Sequence, residues 1–381
     1  MSATPMPTPA QIHIMLVSEQ AAPNLLPALD PAMKPRQAVL LVSQKMSTRA
    51  DALQAVLQES GIKTQRIALA DEHNLGALEE AIMNAAGQLD GKSIAFNLTG
   101  GNKLMALAAQ TVAQAAGWPV FYVDVDTDQV IWLDKIRPPQ ALTQQLRLPH
   151  YLRGYGYNLK EGIERPQPNA SWEVLLKDLV QNVGSLAEPI GQLNYLSQTA
   201  QASLRTTLSP RQSDSLSLDA LLRKFEEKQI LKRQGEQLIF QSEEARRFAN
   251  GGWIEHHVYQ NVCQVTGHLA IRDKAANLQV TDPSGQTNEI DVVFLARNRL
   301  FMIECKTAKM DNPDDSKAND TLYKLAENCR RIGGLGTRGM LATYRPLRDA
   351  ELRLARALNI EVVASRDLAR LTERLKQWVR P

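Results

Sequence analysis

Asp291, Glu304 and Lys306 are the residues whose types and spacing most directly allow chemistry. Two short runs carry them. Ile290 to Leu295 and Leu300 to Cys305 are rich in β-branched and aromatic residues, and Arg297-Asn298-Arg299 between them reads as a tight turn. Glu304 and Lys306 are two apart on one strand, so they share a face. Carboxylates supply hard oxygen ligands for Mg²⁺ or Mn²⁺. A lysine beside them is a compact cation suited to a developing phosphate charge or an attacking water. The same three residues fit an ordinary charged surface hairpin. The apolar run Leu300 to Ile303 ahead of Glu304 instead indicates a central strand that ends in charge.

A further carboxylate, Glu255, lies in the helical pattern Trp253 to Val265, ahead of the hairpin. Helix carboxylate, hairpin Asp and an E-x-K strand together resemble the PD-(D/E)xK nuclease superfamily. That resemblance assigns catalytic roles to Glu255, Asp291, Glu304 and Lys306. It implies a metal held by Asp291, Glu304 and the backbone carbonyl of Cys305. His256 and His257 are possible ligands by type, but no third partner stands at a usual spacing, so they read as packing or solvated histidines.

These strands and the helix need a scaffold, and the chain ahead of them is built differently. Between residues 11 and 133, apolar runs at Gln11–Val17, Gln37–Val42, Ile62–Leu69, Ser93–Leu98 and Pro119–Val125 are separated by helical patterns. The last run pairs with Gln129–Leu133 around Asp126-Thr127-Asp128. Continuous apolar strands between helices indicate a mainly parallel, doubly wound sheet. Ligands bind such sheets beyond the carboxyl ends of the strands. The loop after the fourth strand reads Asn97-Leu98-Thr99-Gly100-Gly101-Asn102-Lys103-Leu104-Met105. Its glycine pair allows close backbone approach, and the helix that follows offers free N–H groups to an anion. Neither G-x-x-x-x-G-K-[ST] nor G-x-G-x-x-G is present, which argues against a Walker nucleotide site or a dinucleotide redox enzyme.

NLTGGNKLM is similar to the N-x-T-G-G-[TN]-K-x-M signature of CRISPR-associated Rossmann-fold (CARF) sensor domains. The resemblance implies a homodimer that binds cyclic tetra-adenylate with the loops after the first, second and fourth strands. By position the ligand-lining residues are Ser18, Glu19, Ser43, Met46, Thr99, Gly100, Gly101, Asn102 and Lys103.

Between these units, residues 134–168 change texture, with Arg137-Pro138-Pro139, then Tyr151, Tyr155 and Tyr157 among glycines, then Pro166 and Pro168. This reads as a linker. Residues 172–246 read as a helical connector, with an amphipathic Leu216–Lys228 and a small β-wing around Gly235. The expected organisation is α/β throughout. A Rossmann-like CARF domain with a mainly parallel sheet spans 1–136, a linker and helical, winged-helix-like connector spans 137–246, and a restriction-endonuclease-like α/β domain spans 247–381.

Composition bounds the function further. The chain of 381 residues is 44% hydrophobic, enough for real cores. Its net charge is only +3, yet residues 247–381 hold 21 Lys and Arg against 16 Asp and Glu. That local excess suits a phosphate-bearing substrate. Lys324, Arg330 and Arg331 share one helix as candidate phosphate contacts. Three cysteines form no paired framework, which points to a reducing cytoplasm. No membrane span or signal peptide is expected.

Joined in this order, the two motifs resemble the CARF–nuclease ancillary effectors of type III CRISPR systems. The resemblance implies a cyclic oligoadenylate-activated, Mn²⁺- or Mg²⁺-dependent nuclease cleaving single-stranded RNA or DNA, or nicking duplex DNA. Two other readings stay open: a ligand-independent restriction- or resolvase-type DNA endonuclease, and a non-enzymatic ligand-responsive DNA-binding regulator.

Overall fold

The computed structural model describes residues 10–380, apart from 90–91, 126, 135–136, 145, 161, 167–168 and 308–316. Asp126 and Pro168 therefore lie outside the described residues.

The N-terminal unit alternates strand and helix as its apolar runs require. In order these are β1 (Ile12–Leu16), α1 (Ala22–Leu29), β2 (Gln37–Ser43), α2 (Ser47–Glu59), β3 (Lys63–Leu69), α3 (Leu75–Gly87), β4 (Ile94–Asn97), α4 (Lys103–Ala115), β5 (Val120–Asp124), β6 (Gln129–Trp132) and β7 (Gln140–Ala141). The sheet order is β3-β2-β1-β4-β5-β6-β7, parallel from β3 to β5 and antiparallel at β6 and β7. The strand order reverses between β1 and β4, the topological switch point at which such sheets bind ligands. β1, β2 and β4 are buried almost throughout, because helices cover both faces.

The segment expected as a linker is partly ordered structure. It holds α5 (Leu148–Gly154) and β8 (Asn158–Leu159), and Tyr151, Tyr155 and Tyr157 are all buried. β8 pairs with a strand of the C-terminal sheet. Tyrosine rings alternating with glycine pack densely here, where glycine content alone suggests slack chain.

The connector comprises α6 (Glu173–Gln181), α7 (Val183–Thr199), β9 (Arg205–Thr207), α8 (Pro210–Ser213), α9 (Leu216–Glu227), β10 (Leu231–Gln234), β11 (Gln237–Phe240) and α10 (Glu243–Arg247). β10 and β11 form the small wing, turning at Gly235 with φ +61°. A kinked turn at Phe248–Gly252, with Asn250 and Gly251 outside helical geometry, then leads into α11 (Trp253–Gln264).

The C-terminal unit continues with β12 (Ile271–Thr281), β13 (Thr287–Ala296), β14 (Arg299–Lys306), α12 (Lys317–Gly333), β15 (Arg338–Thr343), α13 (Asp349–Ala357), β16 (Ile360–Ala364) and α14 (Leu371–Trp378). Its sheet runs β16-β15-β14-β13-β12-β8. β14 is central, antiparallel to β13 and parallel to β15. The β13–β14 turn places Arg297 and Asn298 at φ +50° and +54°, the type I′ geometry of two-residue hairpins.

One continuous apolar core joins the two α/β units through α5, uniting Met15 and Leu25 with Tyr151, Val293 and Ile332. Polar contacts fix the same junction. Asn298 donates to Asp128 Oδ1 at 2.9 Å and accepts the Leu146 amide at 3.0 Å. The Tyr151 hydroxyl donates to the Gly333 carbonyl at 2.8 Å. The β5–β6 hairpin of the N-terminal unit thus touches the tip of the hairpin that carries the candidate catalytic residues.

Candidate active site and ligand pocket

The β13–β14 ladder brings Asp291 and Glu304 opposite each other, since Val292 pairs with Ile303. Asp291 is buried, and its Oδ2 accepts the Cys305 amide at 2.7 Å. This bond fixes the carboxylate against the backbone between Glu304 and Lys306. Lys306 Nζ stands 2.5 Å from Glu304 Oε1. Burial, and then the nearby Glu304, push the Asp291 carboxyl up to about 8. Burial opposes the charge of Lys306, but Glu304 and Asp291 outweigh it and raise the pKa. Glu255 is also raised, first by burial and then by Glu289. Three carboxylates around one lysine leave the cluster short of positive charge.

That shortage fits a divalent cation. Among the described residues no three His, Cys, Asp or Glu side chains form a ready metal cage. Asp291 and Glu304, with the Cys305 carbonyl and water, make the sparser donor set that Mg²⁺ and Mn²⁺ accept. His256 and His257 stay outside it. His257 Nε2 is hydrogen-bonded to the Leu368 carbonyl at 2.8 Å, a packing role. Arg330 pairs with Glu327 and Arg331 with Asp282, so two of the three residues expected as phosphate contacts, Lys324, Arg330 and Arg331, already have partners.

Glu255 enters the cluster from the first turn of α11, just after a kink at Asn250–Gly251. Gly251 has φ +105°, and a Cβ there would collide with the Thr307 side chain. The chain just past Lys306 thus packs directly on the backbone that leads into α11. Helix α7 bridges both halves. Asn194 donates to the Thr307 carbonyl at 3.3 Å, Gln198 accepts from Asn250 at 3.1 Å, and Arg246 donates to the Ser197 carbonyl at 2.9 Å. Sequence reading missed this role of the connector. Glu289, two residues before Asp291, was also missed, although the spacing was a readable signal.

At the switch point of the other sheet, the loops after β1, β2 and β4 stand side by side, as expected. The residues in them divide by what they already hold. The Thr99 hydroxyl donates to Asn97 Oδ1 at 2.7 Å and accepts the Val123 amide at 2.7 Å. Asn102 caps α4 by accepting the Met105 amide at 2.9 Å, and donates to the Glu72 carbonyl. Ser43 is buried and hydrogen-bonded to Glu72. Gly100 makes its close approach to the Leu16 carbonyl rather than to open space, and Gly101 turns at φ +73°. Ser18 Oγ donates to the Gln20 carbonyl, Glu19 pairs with Arg49 at 3.1 Å, and Met46 is half-buried. Lys103 is exposed at the first turn of α4.

Beneath these loops, Asn97 Nδ2 donates to Pro23 O and Asn24 Oδ1, and Asn24 Nδ2 donates to Leu16 O. Four polar groups thereby tie the ends of β1 and β4 to the start of α1. Lys45 adds charge beside Glu72 at 2.7 Å, and its hydrogen bond holds that carboxyl below the usual range.

Fold and sites together define a Rossmann-type sensor unit fused through a helical connector to an endonuclease-type α/β unit. Residues 12–151 match the family described as Card1 CARF domain, and residues 242–381 match the family described as Card1-like, endonuclease domain. The chain belongs to the CARF–nuclease family of type III CRISPR effectors. The crystal structure of protein VC1899 from Vibrio cholerae is similar over 97% of both chains, at 29% identity and a TM-score of 0.87. Can2 from Sulfobacillus thermosulfidooxidans, solved in complex with cyclic tetra-adenylate, is similar over 97% of both chains at 25% identity and a TM-score of 0.79. A type III CRISPR defence DNA nuclease activated by cyclic oligoadenylate shares the fold at 21% identity and a TM-score of 0.54, over 96% of this chain and 50% of its own. No curated protein matches the sequence. No helix among the described residues is long and apolar enough to cross a membrane.

Proposed function

We propose that this chain is a cyclic oligoadenylate-activated, divalent-metal-dependent nuclease that cleaves single-stranded RNA or DNA. The observation that carries the reading is the convergence of Asp291, Glu304, Lys306 and Glu255 in a chain whose other unit is a CARF domain. Near-complete alignment with Can2, which holds cyclic tetra-adenylate, supports a four-membered ring as the activator.

Asp291 and Glu304, with the Cys305 carbonyl, would hold Mn²⁺ or Mg²⁺. When bound, the cation lowers the pKa of a water and offsets phosphate charge. The Cys305 amide keeps Asp291 aimed at that position. Lys306 donates toward the attacking water or a non-bridging phosphate oxygen. Glu255, with its raised proton affinity, completes the outer carboxylate shell and can hold a proton beside the reacting phosphate.

At the sensor end, Lys103 and the free N–H groups of the first turn of α4 supply the positive charge that phosphates require. Thr99, Asn102 and the glycine pair shape the loop that presents them. A two-fold cyclic ligand suits two copies of these loops, hence a homodimer. Met83 on α3, Leu107 on α4 and Tyr122 on β5 are exposed apolar residues available to such a partner.

The test is one assay with labelled single-stranded RNA and DNA and Mn²⁺, with and without cyclic tetra-adenylate. Ligand-dependent cleavage that is lost in Asp291→Ala and Glu304→Ala, with ligand binding intact, is expected. Metal-dependent cleavage retained by Glu304→Ala would sink the assignment. Equal cleavage without ligand would favour the ligand-independent endonuclease.

A further inference from the structure

A cavity of about 690 Å³ is lined by Glu255 but by none of Asp291, Glu304 and Lys306. Its volume falls in the range of small-ligand sites, roughly 300–1,000 Å³. One side is aromatic. Trp172 lies against Phe248 with ring centroids 4.7 Å apart, and His256 meets the same phenyl ring edge-on at 6.4 Å. Trp172 is only half-buried and lines the opening.

The lining also includes a residue with left-handed backbone. Asn277 has φ +50° in the middle of β12, at the position across the ladder from Asp291. A non-glycine residue held in this region costs free energy, and such residues cluster at functional sites. Asn277 donates to Glu164 at 3.4 Å, and both line the cavity.

The charge of the lining selects what enters. Besides Glu255, it includes Glu164, Glu243, Glu244 and Glu289 against a single arginine, Arg247. Backbone phosphate is repelled from such a wall. An uncharged ring with N–H donors on its edge is accepted, because carboxylates are acceptors only. Aromatic faces stack every nucleobase.

Resting on the nuclease reading above, we propose that this cavity is a nucleobase subsite for the nucleotide adjoining the scissile phosphate. The phosphate lies at Asp291, Glu304 and Lys306, and the neighbouring base turns into the cavity and stacks on Trp172. Asn277 and Glu164 read its edge. The acceptor-rich wall favours a base with an exocyclic amine, cytosine, adenine or guanine, over thymine or uracil. A duplex would have to unstack and unpair that base, so the subsite also favours single strands.

Two arms test this on the full-length protein. In the first, the Glu304→Ala protein, with Mn²⁺ and cyclic tetra-adenylate, is titrated with fluorescent 12-nucleotide homopolymers. Adding Trp172→Ala is expected to raise Kd roughly 5- to 150-fold. Trp172→Phe, which keeps a stacking face, is expected to recover most of it. Equal Kd for the Trp, Ala and Phe forms overturns the stacking role. In the second, cut sites are mapped on a randomised single strand. The unmodified protein is expected to prefer an amino-bearing base at one fixed position next to the cut. Asn277→Gly, which keeps the left-handed backbone, is expected to flatten that preference. An unbiased position, or the same bias in Asn277→Gly, overturns base reading. If the unmodified protein cuts nothing, the nuclease reading fails, while the binding arm still decides the subsite on its own.

Discussion

The side chain of Thr307 occupies the space that a Cβ on Gly251 would need. This contact sets the distance between the strand that ends in Lys306 and the turn that launches Glu255. The kink at Asn250–Gly251 and its left-handed glycine are therefore parts of the site. Gly251→Ala should push the two elements apart. A misplacement of about 1 Å can cost on the order of 100-fold in rate. We expect a loss of that order in cleavage, with cyclic tetra-adenylate affinity unchanged. Adding Thr307→Gly should restore part of the rate by removing the clash. Full activity of Gly251→Ala would show that the contact does not position Glu255.

Asp291 provides a pH signature. Burial and Glu304 raise its carboxyl to about 8 in the metal-free protein, so near neutrality it holds a proton that a metal must displace. Mn²⁺ affinity should tighten as pH rises from about 6 to 8, and binding should release up to one proton from this group. The sign for stability is opposite. A raised folded-state pKa favours the metal-free fold at low pH, and this contribution is lost as pH climbs through about 8. Titration calorimetry in buffers of different ionisation enthalpy reads the proton release. Asp291→Asn should remove it, and pH-independent Mn²⁺ binding would contradict the assignment.

Within the sensor, Lys103 and Thr99 should separate cleanly. Lys103 is exposed, whereas the Thr99 hydroxyl is engaged by Asn97 and Val123. Lys103→Ala should raise the activator concentration needed for half-maximal cleavage without changing thermal stability. Thr99→Val leaves the Val123 amide unpaired, at a cost of about 1–3 kcal/mol, so it should lower Tm first. Calorimetric unfolding and activator titration of both variants distinguish the roles. A Lys103→Ala protein that responds like the parent would place the phosphate contacts elsewhere.

Much of this was legible from local pattern. The apolar runs of the first sheet and the hairpin at Arg297-Asn298 lie where period and turn chemistry place them, because covered parallel strands and type I′ turns leave strong local signals. β12 was not read. Asp273, Lys274 and the left-handed Asn277 interrupt its pattern, and tertiary pairing with β13 restores the strand. α1 was not read either, since Pro23 and Pro27 argue against helix locally while its burial decides for it. The four residues of the nuclease pattern do converge. In the sensor loops, however, residue type could not separate side chains facing a ligand from those holding the loop. Thr99 and Asn102 have hydrogen-bonding groups suited to either task, and only the positions of Val123, Met105 and Glu72 reveal that those groups are already engaged.

Communication between the two sites has a short route in the structure. Gln20 follows Glu19 in the loop after β1, and the Tyr155 hydroxyl donates to Gln20 Oε1 at 3.0 Å. Tyr155 stacks on Tyr151 with centroids 5.0 Å apart, and Tyr151 donates to the Gly333 carbonyl at the end of α12. Gly334, at φ +75°, leaves no room for a side chain against Tyr155 and Gln20. Arg49 links the same group from the other side, bonding both Glu19 and the Tyr155 carbonyl. A ligand that shifts Glu19 therefore acts on α12 through two packed rings, provided it binds one arrangement of them better than the other. Tyr155→Phe keeps the stack and removes one hydrogen bond. It should leave cyclic tetra-adenylate affinity within about 2-fold, yet reduce the ligand-induced gain in cleavage by roughly 2- to 30-fold, the span of couplings carried by intermediate residues. Solution scattering of the metal-free protein with and without ligand should change less in the variant than in the parent. Undiminished activation in Tyr155→Phe, together with Gly334→Ala behaving like the parent, would exclude this route and leave the Asn298–Asp128 hairpin contact to carry the signal.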